Sequence, residues 1–195
     1  MEGRHLFLVL IILVFGTSVH ADFQKGFEAY NSGDYATALK EWESLAEQGY
    51  ADAQYGLGML YYRGHGVARD YKAAVKWYKL VAEQGFAPGQ LWLGTMYYIG
   101  EGVTQDYRSA AKWIRLAAEQ GDADAQLWLS QLYYDGQGVT QDSIRAHMWV
   151  IIAASQGNEE ALWARKMDED KMSSIDVSKA RDLSLECIAK KFKDC

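Results

Sequence analysis

The dipeptide Gln-Gly recurs along this chain at a fixed interval. Its four copies begin at Gln48, Gln84, Gln120 and Gln156, so neighbouring copies lie 36 residues apart. A period of this length is typical of stacked helical hairpins, each of which needs its neighbour to bury an apolar face. The sequence therefore predicts an all-α solenoid. Such folds offer an extended surface instead of a central pocket, and these surfaces usually bind other proteins.

One repeat shows how the hairpin forms. Ala53, Leu57 and Tyr61 recur every fourth residue, which places them on one apolar face of a first helix. Gly64 suits the left-handed C-terminal cap of that helix. Asp70 suits the N-cap of a second helix, because its carboxylate can accept bonds from unpaired backbone N–H groups.

The same residue types return in register in the other repeats. The aligned columns are Asp34, Asp70, Asp106 and Asp142; Ala38, Ala74, Ala110 and Ala146; and Trp77, Trp113 and Trp149. Because the tryptophan column is regular, we expect its side chains in the core.

These motifs resemble the Sel-1-like repeat family, relatives of the tetratricopeptide repeat. The family pattern A-x-A-Q-x-x-L-G-x-x-Y, G-x-G-V, D-Y-x-x-A-x-x-W and A-A-x-Q-G is matched in sequence from Ala51 to Gly85, and two further copies begin at Ala87 and Ala123. The resemblance implies a right-handed superhelix of helix–loop–helix units. It also implies a protein-binding role, with the first helices lining the concave surface.

The chain divides naturally by this pattern. We predict a signal peptide at 1–21, a tetratricopeptide-like capping unit at 22–49, repeats at 50–85, 86–121 and 122–157, and C-terminal capping helices at 158–195. The last segment should hold a helix from Glu159 to Met167 and another from about Ser174 to Lys190, with Ser173 and Asp176 in a capping box.

The N-terminus has the pattern of an export signal. A basic Arg4 precedes an apolar run from Leu6 to Phe15, and small residues suit cleavage after Ala21. The run is shorter than the roughly 20 residues that span a bilayer. We predict a periplasmic or secreted protein, with an uncleaved membrane anchor as the alternative.

Charge excludes one class of partner. The chain has 20 basic and 26 acidic residues, a net charge of −6, and no basic cluster. Nucleic acid binding needs clustered positive charge, so it is not expected. An acidic surface also disfavours anionic lipid. Oligomeric state is left open.

The two cysteines, Cys187 and Cys195, lie at the C-terminal end. In an oxidising compartment they are candidates for a disulfide. Residues eight apart on one helix are separated by about 12 Å, so a bridge requires the helix to end near Lys190 and the chain to fold back.

Catalytic motifs are sparse. Ser109 and Lys112 fit S-x-x-K, but the accompanying S-D-N and K-T-G motifs of penicillin-recognising enzymes are absent. His65 and His147 have no second histidine at metal-ligand spacing. We predict no enzyme activity, no metal and no cofactor. The alternative is a β-lactam- or peptidoglycan-interacting protein, a weak hydrolase or a glycan binder.

Variable positions on the first helices of the repeats are the candidate binding site. The residues are Met59, Arg63, Trp92, Thr95, Ile99, Trp128, Gln131 and Asp135. Trp92 and Trp128 occupy equivalent places and suit interface anchors, although both could instead pack internally. The favoured interpretation is a non-enzymatic adaptor that binds another protein or peptide at the bacterial envelope or exterior.

Overall fold

The computed structural model describes residues 21–195, and within them all regular structure is helical. The predicted leader lies almost wholly outside these residues and stays a prediction. The helices are α1 (21–32), α2 (Tyr35–Glu47), α3 (Ala51–Arg63), α4 (Tyr71–Glu83), α5 (Ala87–Ile99), α6 (Tyr107–Ala118), α7 (Ala123–Asp135), α8 (Ser143–Ser155), α9 (Glu159–Glu169) and α10 (Ser174–Ala189). They form two compact units, divided within α4 between Val81 and Ala82.

Aspartate starts the second helix of each hairpin, as the repeat pattern predicts. The Asp70 carboxylate accepts from the backbone N–H groups of Lys72 and Ala73 at 2.9 and 3.0 Å. Asp106 and Asp142 cap α6 and α8 in the same way. These bonds satisfy N–H groups that have no partner inside the helix.

A glycine ends the first helix of each repeat and a second one turns the loop. Gly136 ends α7 with φ 69°, a left-handed conformation that costs glycine little. Gly138, with φ 72°, lies so close to the start of α6 that a Cβ atom there would overlap the Tyr107 carbonyl oxygen. The loop after α7 is therefore packed directly on the backbone of α6.

The first unit is built around Trp42. Its indole is 1% exposed and contacts the backbone at Gly26 and Gly56, where any Cβ atom would meet the ring. Gly58 similarly makes room for Tyr78, which is fully buried. Small residues thus let neighbouring helices approach over large aromatic rings.

In the second unit, α8 is the central helix. It packs against α7, α9 and α10. Its run from Ala146 to Ala154 is buried without interruption. A helix that is apolar on all sides requires such complete cover.

The aligned tryptophans differ in burial. Trp149 is 1% exposed, as expected for a core residue, whereas Trp77 and Trp113 are only half-buried. In the second unit, Trp149 shares a core with Ala180 and Cys187 of α10, which packs on α8, whereas Trp113 lies outside that core. The core expectation holds fully only for Trp149.

Glutamines connect successive hairpins through a repeated set of hydrogen bonds, here called the glutamine ladder. The buried Gln126 side chain donates to the Ala118 carbonyl at 3.2 Å and accepts from Gln156 at 2.6 Å. One repeat earlier, Gln90 bonds in the same way with Ala82 and Gln120. Each buried carboxamide thereby satisfies a carbonyl at the end of the preceding helix. Its own oxygen also has a partner.

The C-terminus folds back onto the second unit. Cys187 and Cys195 are disulfide-bonded with Cα atoms 5.5 Å apart. The geometric condition for this bond is met, since α10 ends at Ala189 and Lys191 and Phe192 take positive φ angles. Phe192 and Cys195 then pack against the core of this unit.

Candidate functional site

A groove runs between α7 and α9, with α8 as its floor; we call it the α7–α9 groove. Its volume is about 430 Å³. The lining residues are Leu127, Trp128, Ser130, Gln131 and Tyr134 from α7, Ala146 and Val150 from α8, and Glu160, Trp163, Ala164, Met167, Asp168 and Lys171 from α9 and the turn after it. On each helix these positions recur every three or four residues, so each wall is one helical face.

Aromatic side chains dominate the open part of this groove. Trp163 is 66% exposed and Tyr134 54%. Trp128 is half-buried, with its ring edge-on to Tyr98 at a centroid distance of 5.3 Å. One part of the Trp128 ring therefore packs against Tyr98 while the residue also lines the groove, and its assignment as a binding anchor stays a prediction.

Two other predicted residues lie on or beside the same wall. Gln131 lines the groove and donates to the Asp135 carboxylate at 2.8 Å, which holds both side chains on the surface of α7. Asp135 itself is outside the lining.

The structure does not bring the remaining predicted residues into this groove. On α5, Trp92 and Thr95 are half-buried and Ile99 is 41% exposed. In the first unit, Met59 is half-buried and the Arg63 guanidinium donates to the Tyr30 hydroxyl at 2.9 Å. Their assignment to a binding surface stays a prediction.

The wall formed by α9 was not predicted from the sequence. Trp163 stands in the column of Leu91 and Leu127, but most residue types of the repeat are lost after Gly157. The sequence does carry one signal. Trp163 belongs to a charged helix that begins with Glu159 and Glu160, which is an unusual setting for a core residue.

A charged cluster joins α8, α9 and α10 beside the groove. His147 is fully buried, and its Nδ1 lies 3.2 Å from Oδ2 of Asp168. Glu169 Oε1 accepts from Arg181 at 3.0 Å and from Arg165 at 3.1 Å. These two guanidinium groups, Arg181 first, hold the pKa of the Glu169 carboxyl below its usual value.

The ion pairs of Glu169 make the stability of the fold depend on pH. A lowered folded-state pKa means that Glu169 stabilises the fold above its ordinary pKa of 4.5 and loses that contribution as the pH falls through the lowered value. We expect Glu169→Gln to lower the melting temperature at pH 7, and the difference from wild type to shrink below about pH 4.5. Thermal melts between pH 7 and pH 3 measure this.

The control is Asp182→Asn, which removes an exposed charge from α10. A difference between wild type and Glu169→Gln that stayed constant down to pH 3 would contradict the role of the ion pairs.

The S-x-x-K motif has a structural explanation. The Ser109 hydroxyl donates to the Asp106 carboxylate at 2.6 Å and so belongs to the cap of α6. The Lys112 ammonium lies over the Trp113 ring, 5.7 Å from its centroid. Neither contact activates a nucleophile.

Residues 21–195 offer neither a metal site nor a membrane span. They contain no group of three or more histidine, cysteine or carboxylate side chains arranged to hold a metal ion. The same part of the chain has no helix both long and apolar enough to cross a membrane.

A family model named Sel1 repeat matches residues 51–86, 87–122 and 123–158, more than half of the chain. The chain belongs to the Sel1 repeat family. The matched segments correspond to the three hairpins that begin with α3, α5 and α7. Among curated proteins, none matches the sequence significantly.

Solved structures of other Sel1 repeat proteins are similar to this chain. A protective antigen of uropathogenic Escherichia coli with an SLR fold is 40% identical, with a TM-score of 0.69; the match covers 73% of this chain and 32% of that one. A Sel1 repeat protein of Oxalobacter formigenes is 30% identical, with a TM-score of 0.74 and coverage of 86% and 70%. The chain thus spans about a third of the antigen's length.

A third similarity concerns the fold alone. Cysteine-rich protein B of Helicobacter pylori is 24% identical, with a TM-score of 0.53; the match covers 66% of this chain and 96% of that one. Together the comparisons confirm the predicted α-solenoid of Sel1 repeats, a fold that generally serves protein–protein interaction.

Proposed function

We propose that this chain is a non-enzymatic adaptor that binds another protein or a peptide in the α7–α9 groove. The observation that carries the proposal is Trp163, a tryptophan 66% exposed in the wall of this groove. Water contact over so much aromatic surface is unfavourable, and burial under a partner relieves it. Tryptophan is also the residue most enriched at interface hot spots.

The groove supplies more than one anchor. Trp128 and Gln131 lie on the opposite wall, and Met167 adds a flexible apolar side chain on the α9 side. Methionine adapts its shape to different partners. Outside the groove, Trp92, Thr95 and Ile99 in the second unit stay predicted contacts, as do Met59 and Arg63 in the first unit.

We also propose that the adaptor works in the periplasm or outside the cell. The Cys187–Cys195 disulfide supports this, because disulfides persist in oxidising compartments. The predicted leader and the likeness to a protective antigen of a pathogenic bacterium agree with it.

Affinity purification from the native host, followed by mass spectrometry, tests the binding proposal. We expect Trp128→Ala and Trp163→Ala each to reduce recovery of the partner at least about tenfold, the usual effect of losing a hot-spot tryptophan. The matched control is Leu162→Ala, since Leu162 is 51% exposed beside Trp163 but lies outside the groove lining.

Two outcomes would contradict this proposal. One is a partner captured equally well by wild type and by both tryptophan variants. The other is selective retention of wild type on purified peptidoglycan, which would replace a protein partner by a glycan stacked on Trp163 and Tyr134.

A further inference from the structure

The α7–α9 groove carries charges of opposite sign at its two ends. Glu160 lies in the first turn of α9, and Lys171 lies two residues beyond the last residue of that helix; both line the groove. Both are exposed, and within residues 21–195 neither takes part in an ion pair. Between them the wall is formed by Trp163, Ala164 and Met167.

A third charged side chain in the lining is turned inward. Asp168 neighbours the Lys171 end, and its Oδ2 lies 3.2 Å from the buried His147 ring nitrogen. The exposed charges of the groove are therefore Glu160 at one end and Lys171 at the other, with apolar side chains between them.

The distance between the ends sets the length of an occupant. Eleven residues at a rise of about 1.5 Å per residue separate Glu160 and Lys171 by about 16 Å. An extended peptide advances about 3.3 Å per residue, so about five residues span the groove.

The groove favours an extended occupant over a helix. A helix satisfies its main-chain groups internally, so these groups would be unavailable to the walls of the groove. Gln131 on the α7 wall carries a carboxamide, which can donate to and accept from the unpaired main chain of an extended segment.

We propose that the groove takes an extended segment of about five residues with an apolar centre, a basic residue at one end and an acidic residue at the other. The basic residue lies against Glu160 and the acidic residue against Lys171. The apolar centre packs between Trp128 and Trp163. This inference rests on the proposed function and adds the chemistry of the bound segment.

Short peptides test the charge pattern directly. Four capped five-residue peptides share the same three apolar central residues. Two carry lysine and glutamate at opposite ends, in either order; one carries lysine at both ends and one glutamate at both ends. Binding to the full chain is followed by two-dimensional NMR of the indole N–H resonances, with Trp128→Phe and Trp163→Phe identifying the two signals from the groove.

We expect at least one mixed peptide to bind about three- to tenfold more tightly than either like-charged peptide, because each exposed ion pair changes affinity by a few-fold. The Trp128 and Trp163 indole signals should shift. Glu160→Lys should transfer the preference to glutamate at both ends, and Lys171→Glu to lysine at both ends.

Matched controls place the same charge changes elsewhere on α9. Glu159→Lys and Lys166→Glu alter exposed residues outside the groove lining and should leave the ranking of peptides unchanged. If these variants changed the ranking as the groove variants do, net charge would explain the effect and the proposal would be wrong.

The remaining outcomes separate this inference from the proposed function. Equal binding of all peptides, or no shift of the two indole signals, overturns the charge-patterned segment. If capture of the native partner still depended on Trp128 and Trp163, the adaptor function would stand while its occupant had a different chemistry.

Discussion

Replacement of Trp149 by alanine is expected to lower the free energy of unfolding by about 3–5 kcal/mol, the usual cost of removing a fully buried tryptophan. The indole is 1% exposed in the centre of α8 and belongs to a core that includes Ile114, Leu129 and Ala180. The cavity left behind touches several helices at once, so no single side chain can fill it. Denaturation by urea, followed by circular dichroism, measures the loss.

The matched control is the same substitution at Trp163. That side chain is 66% exposed, so Trp163→Ala should change stability by less than about 1 kcal/mol. The contrast separates the two kinds of tryptophan in this chain: one stabilises the fold and the other is proposed to bind. Equal losses from the two variants would contradict both assignments.

Gly138→Ala is expected to destabilise the second unit by about 2–5 kcal/mol. Two costs add at this position. The residue has φ 72°, which costs a residue with a Cβ atom about 1–2 kcal/mol. The new methyl group would also overlap the Tyr107 carbonyl oxygen, and overpacking costs about 1–3 kcal/mol. Thermal unfolding should show a melting temperature several degrees below that of wild type.

Gly157→Ala separates the cost of the backbone conformation from the cost of atomic overlap. Gly157 has φ 86°, but a Cβ atom there would have nothing within 4 Å. The control should therefore show only the backbone penalty. If Gly157→Ala and Gly138→Ala destabilised the protein equally, the close packing of the loop on α6 would be energetically unimportant.

Features that depend on local chemistry were predictable from the sequence. Asp106 and Asp142 cap helices, and Gly136 ends one, because each role needs only the residue and its nearest neighbours along the chain. The family resemblance added the way in which the hairpins stack. The turn that permits the Cys187–Cys195 bond was also anticipated, since helix geometry alone demands it.

Features that depend on tertiary packing were less predictable from the sequence. Trp113 and Trp149 share a column, yet only Trp149 is fully buried, in a core that includes Ala180 and Cys187 of α10, a helix outside the repeat pattern. The role of Trp163 is hard to recognise from the sequence for a similar reason. Its neighbours no longer follow the repeat, so the sequence could not show that it lines a groove with Trp128.

Of the eight predicted contact residues, only Trp128 and Gln131 lie in the lining of the α7–α9 groove. Variable positions on α7 identified Trp128 and Gln131, since a surface free of stacking constraints can vary between repeats. The second wall comes from α9, where Glu160, Met167 and Lys171 stand 36 residues after Asp124, Gln131 and Asp135. Most other residue types of the repeat are lost after Gly157, so the sequence alone does not show that these columns continue onto a second wall.

The glutamine ladder restricts how a protein of this kind can change in length. Gln120 bonds to Gln90 and Gln156 to Gln126, each pair 30 residues apart. One added residue inside a helix turns everything after it by about 100°, which would move one carboxamide away from the other. Complete hairpins can be added or removed without this penalty. Such a chain can therefore gain or lose whole repeats while every glutamine hydrogen bond of the ladder is kept.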